Sequence, residues 1–311
     1  MFLAITQIME TKIQNILAAI DLSETSRAAF EHALALSAQH GAKLHVVQAV
    51  PASEPFRWHG GERSALIGKL RHDAERAGVP FRARVQQGDP AKVILLHAKS
   101  LQPDLIVVGT HQRVGLERLR SGSVAERVAL EATQPVLVVP AGARSDTALR
   151  FNRVAVGVDF STASSNAVRH ALAMASGADA RVTLVHVVPG FSSGAVPRYL
   201  YRFGAVEYQN ELARDAWREL QDVMPITAQP GAGTHARVVI GDPSDGISRV
   251  ADEMNADAIV VGVPRRSKLT RALRGTTAAR LLRTVDVPLL TVPEQASRSQ
   301  LVADRELAHV A

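Results

Sequence analysis

The chain has 311 residues, of which 46% are apolar, 4% aromatic and none cysteine. That composition gives aliphatic cores in two ordinary domains and excludes disulfides, thiolate metal ligands and cysteine nucleophiles. A net charge of +6, from 36 basic and 30 acidic residues, is mild and spread along the chain, which argues against a nucleic-acid partner.

In chain order, Ile13 to Ile20 is an apolar run that ends on Asp21. Ser23 to His40 has helical spacing, with Phe30, Ala33, Leu34 and Ser37 on one face and Gly41 as the stop. Leu44 to Val50 reads as a second strand, residues 52–60 as a loop, Glu62 to Ala77 as a helix and Phe81 to Val85 as a third strand. At Gly88-Asp89-Pro90 an N-cap residue precedes a first-turn proline, so a helix should run to about Ser100. Leu105 to Val108 is a fourth strand, Ser123 to Ala132 a helix and Pro135 to Val139 a short last strand. This alternation predicts an α/β fold with an open parallel sheet and helices on both faces.

Residues 141–150 read as a linker, after which the pattern restarts. Val154 to Val158 ends on Asp159, Ser161 to Ser176 is a helix stopped by Gly177, and Val182 to Val188 is the next strand. Asp21 to Asp159 and Pro51 to Pro189 are shifts of 138, whereas Gly88 to Gly241, Gly109 to Gly262, Gly122 to Gly275 and Pro140 to Pro293 are shifts of 153. The second copy therefore carries 15 extra residues, placed in the loop stretch 190–210 with all three tyrosines, Phe191 and Phe203. Such an insertion either packs over its own domain or serves as a lid or partner surface. The polar tail, 294–311, reads as frayed or weakly helical.

The stretch with most chemistry follows the fourth strand of each copy: LIVVGTHQRVGLERLRSGS over 105–123 and AIVVGVPRRSKLTRALRGT over 258–276. Gly109 to Gly122 and Gly262 to Gly275 both span 13 residues, so loop length is held while side chains differ. A glycine at a strand end lets a ligand approach the main chain, and a helix start offers unpaired N–H groups to an anion such as phosphate. Basic residues gather in both loops, among them Arg113, Arg118, Arg266 and Lys268, either as phosphate partners or as a solvated face. No GxxxxGK[ST] motif, nucleophile elbow or metal-ligand spacing occurs, with His45, His97 and His186 isolated from carboxylate pairs. No catalytic or metal residue is assigned, and an enzyme is not expected beyond slow hydrolysis of a phosphate ligand. The opening MFLAITQIMETK has no secretory signal and no run of about 18 apolar residues occurs, so a cytoplasmic protein without a membrane partner is expected.

The strand-Asp-helix opening and the G-x-x-G-x9-G-[ST] pattern, each present twice, resemble the universal stress protein family in its tandem two-domain form. The resemblance covers residues 12–140 and 151–293, and 109–140 resembles the family's carboxyl-terminal signature along its whole length. It implies two Rossmann-like, adenine nucleotide alpha hydrolase-like domains with ATP, with or without magnesium, between the ends of strands one and four. Asp21 would meet the ribose, the main chain at Ala49 the adenine, and Gly109, Gly122, Ser123 and Val124 the phosphates. The matching positions are Asp159, Val187, Gly262, Gly275, Thr276 and Thr277. Asp21 and Asp159 equally suit helix N-caps, as do Ser123 and Thr276. Both copies depart from the motif at its second glycine, where Gln112 and Arg265 stand. A left-handed backbone there costs about 1–2 kcal/mol without glycine, and each side chain either fills the phosphate space or points at the phosphates. The first domain is thus the better expected site. The resemblance implies a stress-response sensor or regulator with protein partners that the sequence does not identify. The alternative is a nucleotide-free interaction scaffold. It also implies that the two last strands pair, making an intramolecular pseudo-dimer, and that two chains can form a homodimer.

Overall fold

A computed structural model describes residues 13–21, 23–51, 61–110, 124–140, 143, 151–175, 180–190, 205–224, 233–264 and 276–294. In the first half the elements are β1 (Asn15–Ile20), α1 (Glu24–His40), β2 (Lys43–Val50), α2 (Gly61–Arg76), β3 (Phe81–Gln87), α3 (Pro90–Leu101), β4 (Leu105–Thr110), α4 (Val124–Glu131) and β5 (Val136–Pro140). The second half repeats them as β6 (Arg153–Gly157), α5 (Thr162–Met174), β7 (Arg181–Pro189), α6 (Ala205–Val223), β8 (Gly233–Gly241), α7 (Pro243–Glu253), β9 (Ala258–Val263), α8 (Thr277–Thr284) and β10 (Leu289–Pro293).

Local chemistry sets the helix ends. Ser23 and Ser161 cap α1 and α5, each side chain accepting a first-turn N–H, and Gly41 closes α1 at φ 64°. The two Gly-Asp-Pro sequences do the same job in both halves: Asp89 caps α3 and Asp242 caps α7, with Pro90 and Pro243 in the first turn. The glycines before them, at φ 151° and 148°, occupy backbone that a side chain disfavours. α5 ends at Met174 rather than Ser176 because Ala175 turns extended and forms a bridge with Phe151. The expected stop, Gly177, lies outside the described residues. So does 191–204, the bulk of the insertion, while its last residues, 205–210, form the first turns of α6 instead of loop.

All ten strands form one sheet in the order β3-β2-β1-β4-β5-β10-β9-β6-β7-β8. Every neighbouring pair is parallel except β5 and β10, which pair antiparallel and join the halves as expected. Central strands are buried on both sides, which is why they read as unbroken apolar runs: Ile16, Leu17 and Ala18 are all buried, as are Val154, Ala155 and Val156. One core lies between the sheet and α1, α2, α5 and α6, and the other between the sheet and α3, α4, α7 and α8. The expected face of α1 is buried at Phe30, Ala33 and Ser37, with Leu34 partly so.

Two side-chain contacts brace the junction. Glu126 of α4, 10% exposed in its side chain, accepts both Nε and Nη2 of Arg283 from α8. The Thr291 hydroxyl donates to the carbonyls of Ala129 and Val136. Among the described residues no helix is long and apolar enough to cross a membrane.

Candidate functional site

In the first half the strand order β3-β2-β1-β4-β5 reverses direction between β1 and β4, and in the second half between β6 and β9. At such a switch point the connections leave to opposite sides, which opens a crevice beyond the carboxyl ends of the two strands. Because β5 and β10 are antiparallel, the two crevices open on opposite edges of the ten-stranded sheet.

Main-chain direction follows from the ladders, in which alternate residues address the same neighbour. Ile106 N–H donates to Pro135, so even-numbered residues of β4 face β5 and Gly109 faces β1. Its ladder with β1 ends at the pair Val108 and Ala19, which the Gly109 N–H closes, so it is the Gly109 carbonyl that looks into the crevice. By the same reasoning Lys43, whose N–H donates to Gln14, sets odd-numbered residues of β2 toward β1, and Ala49 with them. In the second half Val185 accepts from Val158 N–H, which turns Val187 toward β6 past that strand's last residue, while its side chain is buried.

The glycines themselves have another cause. A Cβ on Gly109 would sit 2.6 Å from the Thr25 carbonyl oxygen, and on Gly262 2.4 Å from the Ala163 carbonyl carbon. Glycine is demanded there by the first turns of α1 and α5. The expectation that it clears the way for a ligand is corrected: the main chain faces the crevice, but the missing side chain faces a helix.

Asp21 and Asp159 end the loops after β1 and β6. They are not the helix caps. Each carboxylate accepts both the N–H and the hydroxyl of the serine two residues on, and that serine is the cap. Burial pushes the Asp159 carboxyl up more than any other single influence, yet the Ser161 and Ser164 hydroxyls with the Ser161 N–H outweigh it and hold the group below the usual carboxylate range. Both aspartates are thereby oriented anions on the crevice rim. Opposite them, Val124 and Thr277 are the first residues of α4 and α8, and Thr276 caps α8, its hydroxyl accepting from Ala279 N–H at 3.3 Å. Gln112, Gly122, Ser123, Arg265 and Gly275 lie outside the described residues.

Three features were not anticipated. Arg127, in α4, donates to the Asp89 carboxylate at 3.0 and 3.2 Å, and Arg280, in α8, to Asp242. These pairs tie the start of the fourth helix of each half to the start of the third. The Lys92 N–H first and Arg127 after it hold Asp89 below the usual range; for Asp242, burial opposes the shift, and Ser244 and Arg280 prevail. A signal existed: arginine stands five residues after both Gly122 and Gly275, at the same shift of 153 that relates Asp89 to Asp242. The third feature is Phe160, at φ 61° and stacked on His186 with ring centroids 4.6 Å apart. The His186 Nδ1 lies 2.8 Å from the Val158 carbonyl, which orients the ring as a donor to it. Nothing in the sequence marks an aromatic for a left-handed position. Among the described residues no three His, Cys, Asp or Glu side chains group as a metal site.

This twice-repeated strand-Asp-Ser-helix crevice coincides with the comparisons. The universal stress protein family model matches residues 12–140 and again 150–293. The chain belongs to the universal stress protein family. A universal stress protein of Methanocaldococcus jannaschii is 34% identical over 143 residues, 42% of this chain and 84% of that one. One of Mycolicibacterium smegmatis is 37% identical over 134 residues, 40% of this chain and 45% of the relative. The crystal structure of a universal stress protein from Archaeoglobus fulgidus superposes with a TM-score of 0.65 at 18% identity, covering 92% of this chain and all of the other, a likeness of fold.

Proposed function

We propose that the chain binds an adenine nucleotide, ATP in the first place, in the crevice between β1 and β4, and that the second crevice is a weaker counterpart. The observation that carries this reading is the convergence of an oriented carboxylate, Asp21, with the last main-chain groups of β4 and β2, at Gly109 and Ala49, around the switch point. A carboxylate suits ribose hydroxyls, main-chain N–H and C=O groups suit an adenine edge, and a helix start suits phosphates. The described residues fit that assignment. Asp21 would hold the ribose, Ala49 the base, and Gly109 with the start of α4 the phosphates. In the second crevice Asp159, Val187, Gly262, Thr276 and Thr277 would take those places, and Gln112 in the first loop and Arg265 in the second would meet the phosphates.

The activity is binding without turnover. A ligand that favours one arrangement of the crevice loops shifts the population that protein partners meet, which is how a nucleotide level becomes a stress-response signal. Denaturing the purified protein, identifying any released nucleotide and counting moles per chain tests this directly. About one ATP per chain supports the first crevice, and about two supports both. No nucleotide, with no heat in a titration of magnesium ATP, overturns the reading in favour of a nucleotide-free scaffold.

A further inference from the structure

Two cavities, of about 470 and 460 Å³, share Arg153 and Arg181 in their walls. They lie at the amino ends of β6 and β7, the far end of those strands from Asp159 and Thr276. The smaller continues over Thr183, His235 and Arg237 to Val250 and Met254 at the end of α7.

Strand register explains why these side chains converge. Arg153 is paired with Arg181, Thr183 with His235 and Val185 with Arg237. Ala155, Val185 and Val239 belong to the core on the α7 side, so the residues two and four positions before them on each strand project to that same face. Arg153 and Arg181 are thus like charges on neighbouring strands, an arrangement that destabilises a sheet when nothing lies between them. Two carboxylates, Asp257 and Glu253, lie in the same walls, and one Asp257 oxygen is buried without a hydrogen-bond partner. Glu253 accepts from Arg237 at 2.6 Å, and the other Asp257 oxygen accepts the N–H groups of Asn152 and Arg153, both at 3.0 Å. Among the described residues neither guanidinium has a carboxylate oxygen within ion-pair distance. The carboxyl end of α7 attracts cations, which accounts for Arg237 through Glu253; Asp257 partly offsets Arg153, and Arg181 is the guanidinium with least compensation among the described residues.

The first half provides an internal comparison. Its counterparts of Arg153, Arg181 and Thr183 are Asn15, Lys43 and His45, and the His45 ring has its Nε2 buried. The second half has Arg153 in place of an amide, a hydroxyl in place of a ring and His235 in place of Arg82, which keeps the number of cations, moves one to the amino end of β6 and opens space beside it.

We propose that this cavity binds a small organic molecule bearing a dianionic oxyanion group, a phosphate monoester before a dicarboxylate. The planar forks of Arg153 and Arg181 match the oxygens of such a group, the Thr183 hydroxyl and His235 ring add donors, and Val250 and Met254 cover the apolar part. The volume is within the range of small-molecule sites. The site shares no residue with either nucleotide crevice, so each reading stands or falls without the other.

Calorimetric titration of the full chain at constant ionic strength, with inorganic phosphate, succinate and chloride as probes, tests the proposal. Saturable phosphate binding below about 10 mM is expected, weakened roughly ten-fold or more in Arg153→Asn and in Arg181→Gln, and unchanged in Arg218→Gln, which removes the same charge from exposed α6. Saturation by succinate alone would assign the dicarboxylate. Arg181→Lys carries the first half's residue and keeps the charge without the planar fork, so a loss there close to that of Arg181→Gln supports bidentate recognition. No saturable binding of phosphate or succinate overturns the proposal, as does wild-type affinity in Arg153→Asn and Arg181→Gln, which would place the anion elsewhere.

Discussion

Leu137 of β5 lies directly opposite Leu290 of β10, and the two are each other's counterparts at the shift of 153 that relates Gly109 to Gly262. A residue that faces its own equivalent marks a two-fold axis, here perpendicular to the sheet and inside a single chain. Both leucines belong to the core beneath α1 and α5, and they flank the hydrogen-bonded pairs Val138–Leu289 and Val136–Thr291.

Breaking this seam should uncouple the halves. Even-numbered residues of β5 face β10, so Val138→Pro removes a donor to β10 and leaves the Leu289 carbonyl without it. A loss on the order of 3 kcal/mol is expected at the junction, read as two separated unfolding transitions in urea and as cleavage within 141–150 by limited proteolysis. A single transition at the wild-type midpoint would contradict it.

The ion pair beside the seam breaks the symmetry. The counterparts of Glu126 and Arg283 are Ala279 and Leu130, so the two-fold related contact is apolar. Arg283→Ala takes both guanidinium bonds from a largely buried carboxylate and should cost about 2 kcal/mol, whereas E126A/R283L, which copies the apolar contact, should fall within about 1 kcal/mol of wild type. Equal losses in the single and double variants, measured by urea denaturation, would show that the pair itself carries the stability.

Gly109→Ala and Gly262→Ala should each destabilise by about 1–3 kcal/mol, since backbone of α1 or α5 must move to admit the methyl group. Gly262→Ala should be the worse, its nearest contact being 2.4 Å against 2.6 Å. If either variant melts at the wild-type temperature, the close helix-to-strand packing described above is wrong.

Much of this was legible in the sequence. Strands buried on both faces leave unbroken apolar runs, Gly-Asp-Pro announces a cap twice, and a fixed shift carries one half onto the other. What was hidden has physical reasons. Glycine spacing says that Gly109 is small, but not whether a helix or a ligand needs it so. The Asp89–Arg127 pair spans 38 residues and shows only when the two copies are compared for charge as well as for glycine. Ala205 follows a glycine and has no side-chain cap of its own, so the start of α6 merges with the insertion. Phe160 adopts a left-handed backbone that its residue type disfavours, held by stacking on a histidine 26 positions away.

Two aspartates should give opposite pH signatures. Asp159 is held below its ordinary value of 3.8 and Asp257 above it, by burial that outweighs the N–H groups of Arg153 and Asn152. For Asp159 the unfolded chain holds the proton more tightly, so its contribution is present above about pH 4 and is lost as pH falls through the folded value. For Asp257 the folded chain holds the proton more tightly, so stability falls as pH rises from about 4 through the raised value. Asp159→Asn should therefore lose most relative to wild type at neutral pH and least in acid. Asp257→Asn, whose amide oxygen still accepts both N–H groups, should gain on wild type across the same rise. Urea midpoints for the three proteins between pH 3 and 7 check both signs, and parallel profiles for Asp257→Asn and wild type would mean that Asp257 folds as an ordinary carboxylate.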